Sequence, residues 1–159
     1  MTGSGKSGFT LLPDKNSLSG VDRAPEQDYN PFVVICIAGL AAHFSFIFLF
    51  AFIGANHLAI LNLFSIGIWL AAFLLSRKKR IASAVLLALF EVMGHAIIAS
   101  ISLGLSTGFH LYMWAAMLLV GTIPGIPLRY SSLLASLPLL LLVTLEMTLG
   151  DVPYAFKYP

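Results

Sequence analysis

The sequence predicts an all-α protein, a polytopic transmembrane helical bundle, on three observations. The first is composition: 58% of the 159 residues are hydrophobic and 10% are charged, against the roughly 25% charged residues of an ordinary soluble domain. Mean hydropathy is +0.92. The second is placement of charge, because most of the nine Lys and Arg and seven Asp and Glu residues lie in the first 28 positions or in the run Arg77 to Arg80. The third is a series of five apolar stretches after Pro31, each near the roughly 20 residues that a helix needs to cross a bilayer. A soluble domain cannot solvate its surface with so few charges, so lipid is the expected solvent for most of the chain.

Residues 1–30 are rich in Gly, Ser, Pro and Asp and carry no apolar period, which predicts a disordered cytoplasmic tail. They show no basic n-region followed at once by a short apolar run and a small-residue cleavage site, so the first span is expected to be uncleaved. The segment Gly3-Ser4-Gly5-Lys6-Ser7 has the end of a phosphate-binding loop, but lacks both the earlier glycine and the leading strand, and is set aside.

The spans are expected at about 32–53, 58–76, 81–103, 109–126 and 130–149. Helices are required because an isolated strand or loop leaves backbone amides unpaired in hydrocarbon, and no dyad alternation suggests a barrel. Pro31 suits a helix start. Gly54-Ala55-Asn56, the basic run, Gly104 to Gly108, and Pro127-Leu128-Arg129 separate consecutive spans. Pro124, Pro127 and Pro138 are expected to end or kink their helices. Small residues at Gly39, Ala42, Ala71, Ala72 and Ala82 read as close-packing faces.

Orientation follows from Arg77-Lys78-Lys79-Arg80, four adjacent positive charges on a short loop. The positive-inside rule places this loop, the N-terminal tail and Arg129 in the cytoplasm. The turns at Gly54–His57 and Gly104–His110 and the segment 151–159 then fall outside. That last segment carries no recognisable domain, and the chain reads as cut short after five spans. Cys36 is the single cysteine, which excludes an intrachain disulfide. A formal net charge of +2 gives no reason to expect a nucleic-acid partner.

Four ionisable groups are expected at membrane depth: His43, Glu91, His95 and Glu146. Each costs several kcal/mol there unless paired and is a functional candidate by default. Glu91 and His95 are four residues apart, share a helix face near mid-span and can interact; His43 lies at mid-depth in the first span. One reading makes Glu91, His95 and His43 the polar floor of a ligand pocket, a proton relay or a metal site. The other makes them an interhelical clamp. Metal is the weakest of these, because zinc takes three or four converging ligands and no His-Glu-x-x-His or cysteine-pair spacing occurs. The expectation is therefore no metal site. No Ser-His-Asp set, aqueous carboxylate pair or dinucleotide fingerprint indicates catalysis. Beyond the third span, Gly104-Leu-Ser-Thr-Gly108-Phe109-His110-Leu-Tyr112 could form a mouth for an amphiphile; C-capping and interfacial aromatics explain the same residues equally.

Leu89-Phe90-Glu91-Val92-Met93-Gly94-His95 together with Gly104 to Tyr112 resembles the six-helix N-terminal membrane domain of bacterial class III adenylate/guanylate cyclases, a module related to one preceding some diguanylate cyclases. In that family the third helix carries Glu-Val-x-x-His and the outer loop reads roughly Gly-Trp-x-Ser-Gly-Phe-x-x-Tyr. Asn62-Leu-Phe-Ser65 and the basic turn after it fit the same pattern. The resemblance covers about residues 30–150, with Leu105 where tryptophan is usual and Thr107 where serine is.

The resemblance implies a sensor and anchor in the bacterial inner membrane, working as a homodimer, with a sixth helix and a cytoplasmic cyclase domain that this chain does not carry. That domain would use Mg or Mn; no cofactor and no catalytic residue is expected here. The ligand-binding candidates are Glu91, His95, His43, Gly108, Phe109 and Tyr112, meeting a lipid-like or small amphipathic ligand. The rival expectations are a ligand-free dimerisation scaffold, the membrane domain of a diguanylate cyclase, and a small proton-coupled transporter.

Overall fold

The computed structural model describes residues 31–123 and 126–150, and these are helical throughout their regular structure, with no strand among them. The expected tail at 1–30 and outer segment at 151–159 lie outside the described residues. Among the described residues, four helices are long and apolar enough to cross a membrane: α1 (Pro31–Phe52), α2 (Asn56–Arg77), α3 (Ile81–Leu103) and, the last of them, α5 (Leu128–Leu149). Between α3 and α5 lie two single 3₁₀ turns, Leu105–Thr107 and Phe109–Leu111, and the nine-residue helix α4 (Tyr112–Val120).

Helix ends are set by local backbone chemistry. Pro31 opens α1, where its missing N–H costs nothing. Gly54, at φ 77°, turns the chain after α1, and the Ala55 N–H reaches back to the Phe50 carbonyl at 2.8 Å, a Schellman closure that satisfies an orphan carbonyl. The basic turn closes α2 the same way: the Arg80 N–H donates to the Leu75 carbonyl at 3.0 Å while Lys79 takes φ 59°. A lysine thus occupies the left-handed position usually given to glycine.

The fourth predicted span, 109–126, is corrected. Its helical part ends at Val120, and Gly121 to Ile123 form turns instead. Pro124 has no N–H to offer the Val120 carbonyl, which takes the Ile123 N–H at 3.2 Å. The segment nevertheless runs the length of the bundle. His110, before α4, meets Glu146, near the end of α5, at 2.9 Å. The chain must therefore return from the level of Glu146 to the level of Leu128 between residues 110 and 128, about 27 Å at 1.5 Å per helical residue. Pro138 does not end its helix: it is buried inside α5, which continues to Leu149 on its far side.

Neighbouring helices pack in sequence order, with α3 also touching α5. Three apolar clusters fill the contacts. Phe32, Cys36, Ala72, Ala84, Val85 and Ala88 pack near the basic turn. Phe50, Leu58, Ala99, Leu103 and Phe109 pack at the opposite end. Leu89, Met93, Ala96, Met113 and Leu142 join α3 to α4 and α5. Of the expected small-residue contacts, Gly39 and Ala72 lie at interfaces, whereas Ala71 and Ala82 are exposed.

The outer faces are apolar. Phe44, Phe48, Phe52, Leu63, Phe64 and Met147 are each more than half exposed, a surface far larger than monomeric soluble proteins leave open. Polar residues on these faces are internally satisfied: Ser45, Ser132, Ser136 and Thr144 donate to carbonyls three or four residues back, at 2.7–2.9 Å. Such back-bonding hides a hydroxyl where water is absent.

Candidate functional site

Between the two end clusters, α1, α2 and α3 bring polar side chains to one point at mid-length. His43 from α1 and Glu91 and His95 from α3 are each less than a tenth exposed. His43 Nε2 lies 3.3 Å from Glu91 Oε2. Helix α2 supplies the supports. The Trp69 indole N–H donates to Glu91 Oε2 at 2.8 Å. Asn62 donates through Nδ2 to the Leu58 carbonyl at 2.7 Å, which turns its Oδ1 toward His43 Nδ1, also at 2.7 Å. The Ser65 hydroxyl, buried as well, lies beside the Glu91 carboxylate.

The hydrogen-bond directions orient the His43 ring. Asn62 Oδ1 can only accept, so His43 Nδ1 carries a hydrogen. Nε2 then faces a carboxylate oxygen that already accepts from Trp69. A proton shared between Nε2 and Oε2 would make that 3.3 Å contact a hydrogen bond, either as imidazolium with carboxylate or as imidazole with carboxylic acid. Both have zero net charge, which is the condition for burial among apolar helices.

Gly39 makes the arrangement possible. A Cβ on Gly39 would lie 2.5–2.7 Å from three atoms of the Trp69 ring, so only a bare backbone on α1 lets the indole lie flat between helices and reach Glu91. Trp69 is 4% exposed.

His95 differs from its neighbours. Its Nδ1 stands 3.9 Å from Glu91 Oε1, beyond hydrogen-bond reach. Neither ring nitrogen of His95, nor Glu91 Oε1, has a hydrogen-bond partner. Aromatic rings enclose it instead: the centroids of Phe46, Phe50 and Phe109 lie 6.1–6.4 Å from its own, and that of His43 lies at 4.9 Å.

No family model, curated protein or solved structure matches the chain. Of the six candidate residues, Glu91, His95 and His43 converge. Phe109 joins them through its ring, its backbone turned by Gly108 at φ 80°. Tyr112 stacks on Phe109 at 6.0 Å and is partly exposed. This stretch thus sets the Phe109 ring over His95. Glu146 stands apart from the cluster, paired with His110. His57 bridges to Ser102 at 3.1 Å, tying the start of α2 to the end of α3.

Sequence reasoning missed the part played by Asn62, Ser65 and Trp69. Their spacing, i, i+3 and i+7, is one stripe of a helix. On a span otherwise apolar, that stripe marks the face turned to a polar partner. The sequence offered the meeting of His43 with Glu91 and His95 only as one of two readings; in the structure one donor atom from each, two imidazoles and one carboxylate, lie within 4.8 Å of one another. Spacing along the chain could not reveal it, since His43 comes from another helix.

Proposed function

We propose that this bundle is the membrane-embedded sensor and anchor of a signalling nucleotide cyclase, with the His43–Glu91–His95 cluster as its sensory site. One observation carries the sensory part: a buried imidazole, His95, has two unpartnered ring nitrogens beside an unpartnered carboxylate oxygen, where a group serving only to join helices would be fully paired. Ionisable groups held inside an apolar bundle are costly, and binding or relay is the usual reason for keeping them. The cyclase output is supported by the resemblance of the Glu-Val-x-x-His and Gly-Phe-x-x-Tyr strings alone, and an adenylate cyclase is the output this reading adopts.

In this reading the four long helices and the α4 segment give five crossings of a bacterial inner membrane. The basic turn and the N-terminus face the cytoplasm, and the bundle works as a homodimer. An occupant of the site would shift output only through unequal affinity for two packing states of the helices. The rings over His95 favour a small occupant over a lipid tail, since any bulky group must first displace Phe109.

The test is cAMP formation from ATP by the full-length gene product in membranes. Replacing Glu91 and His95 together by leucine is expected to change basal or stimulated output. Unchanged output, with the protein at normal abundance, leaves a structural clamp in a plain anchor. Full regulation after exchange of the bundle for an unrelated dimeric helical anchor points the same way.

A further inference from the structure

We propose that His43, Glu91 and His95 form a binding site for a divalent transition-metal ion, with zinc the best match. As a statement of what the sensor senses it rests on the cyclase-sensor reading; as a statement of binding it rests on geometry.

The donor set is two imidazoles and one carboxylate, which suits zinc and its neighbours and not the hard cations magnesium and calcium, whose sites are built of oxygen. The atoms are close to ligand spacing. Two ligands each about 2.1 Å from a tetrahedral ion stand about 3.4 Å apart, and His43 Nε2 and Glu91 Oε2 are already at 3.3 Å. His95 Nδ1 lies 3.9 Å from Glu91 Oε1, and the widest separation in the set is 4.8 Å. Small side-chain rotations close that gap.

The supports are those of a metal site. A ligating histidine is normally held by a hydrogen bond from its other ring nitrogen to a carbonyl or carboxylate, and His43 Nδ1 is so held by Asn62 Oδ1 at 2.7 Å. That contact fixes the tautomer that frees Nε2. The carboxylate is steadied by Trp69 on Oε2, the oxygen that also faces His43, while Oε1 on the His95 side has no hydrogen-bond partner. The cation takes the place of the proton that His43 and Glu91 otherwise share. A fourth position remains for a solvent-derived or other anionic ligand, which balances the second positive charge.

A helix clamp does not account for His95. It contributes no hydrogen bond to any helix, yet it is 7% exposed with both nitrogens buried. The enclosing rings of Phe46, Phe50 and Phe109 leave an ion as the natural partner, and they supply the apolar shell that strengthens metal–ligand electrostatics.

The chain, purified in detergent without a histidine tag and stripped with chelator, is titrated with Zn²⁺ by calorimetry and with Co²⁺ by visible absorption. One equivalent is expected, with the intense d–d bands of low-symmetry tetrahedral cobalt. His95→Leu, His43→Leu and Glu91→Gln are each expected to lose at least about 100-fold in affinity, and Asn62→Leu about 10- to 100-fold. His57→Ala and His110→Ala should bind as the parent does.

If the cluster variants fail to fold, Zn²⁺-induced shifts of the His43 and His95 ring nitrogens in the parent chain answer the question by NMR. Absence of binding by the folded parent overturns the proposal, as does binding that survives His95→Leu or is lost with His57 or His110. Metal bound with no effect on cAMP output leaves this site standing and removes the sensory reading. Output altered by Glu91 and His95 variants in a chain that binds no metal does the reverse.

Discussion

Gly39→Ala is the sharpest test of how the site is assembled. The new Cβ would meet Trp69 Cδ2, Cε3 and Cε2 at 2.5, 2.6 and 2.7 Å, where carbon atoms in contact prefer about 3.5–4.0 Å. An overlap of about 1 Å on a rigid bicyclic ring cannot be relieved by a small rotation, because Trp69 is anchored by its N–H on Glu91. Either α1 moves away from α2 or the indole leaves its place. Overpacking of this kind costs about 1–3 kcal/mol, and the lost hydrogen bond to Glu91 about 0.6–2 kcal/mol in an apolar medium. Together that is roughly 2–5 kcal/mol, or a fall of about 30- to several thousand-fold in the folded population. The assay is SDS-induced unfolding followed by fluorescence. The chain has two tryptophans, so Trp114 remains as the fluorescent reporter when Trp69 is replaced. On a Trp69→Ala background, Gly39→Ala should cost less than about 1 kcal/mol, because the clash is gone. Equal costs with and without the indole would refute this packing of α1 on α2.

Glu91→Leu alone should destabilise by about 1–3 kcal/mol, because it strands the Trp69 N–H and His43 Nε2; combined with His43→Leu and Trp69→Phe the loss should be smaller than the sum, as a triple-mutant cycle in SDS would show. His110→Ala removes a contact to a half-exposed carboxylate and should cost less than about 1 kcal/mol, while speeding hydrogen exchange in the last turn of α5, read by mass spectrometry. Cys36 is completely buried, so maleimide should label it slowly in the native chain and fully in SDS. For topology, single cysteines at Lys78 and Gly54 on a Cys36→Ala background should be reached by a membrane-impermeant reagent from opposite sides of the membrane; labelling from one side would contradict the orientation proposed.

The helices were largely legible in the sequence because hydropathy reports length. Pro31, Gly54 and the basic run then marked boundaries within about two residues. The fourth apolar stretch misled because hydropathy is blind to backbone hydrogen bonds: Ile123 and Ile126 keep the stretch apolar on average, but Pro124 has no N–H to offer the Val120 carbonyl. Pro138 did not end α5, since a buried proline inside a packed helix is held by its neighbours. At the site, Glu91 and His95 were legible as a pair because one helix fixes their spacing. His43 was legible only as a candidate at the right depth. Trp69 was not legible at all as a partner, because its contact depends on Gly39 of another helix admitting the ring.

The central claim is that α1 and α3 bring His43 and Glu91 into contact inside the bundle. Solid-state NMR of the chain in lipid bilayers tests it most directly, through the dipolar coupling between ¹⁵N-labelled His43 and the ¹³C-labelled Glu91 carboxyl. The structure gives 3.3 Å between Nε2 and Oε2, so strong dephasing is expected, and it should vanish in His43→Leu. No measurable coupling in a well-folded sample would mean that the two side chains point apart, and the site as described would not exist.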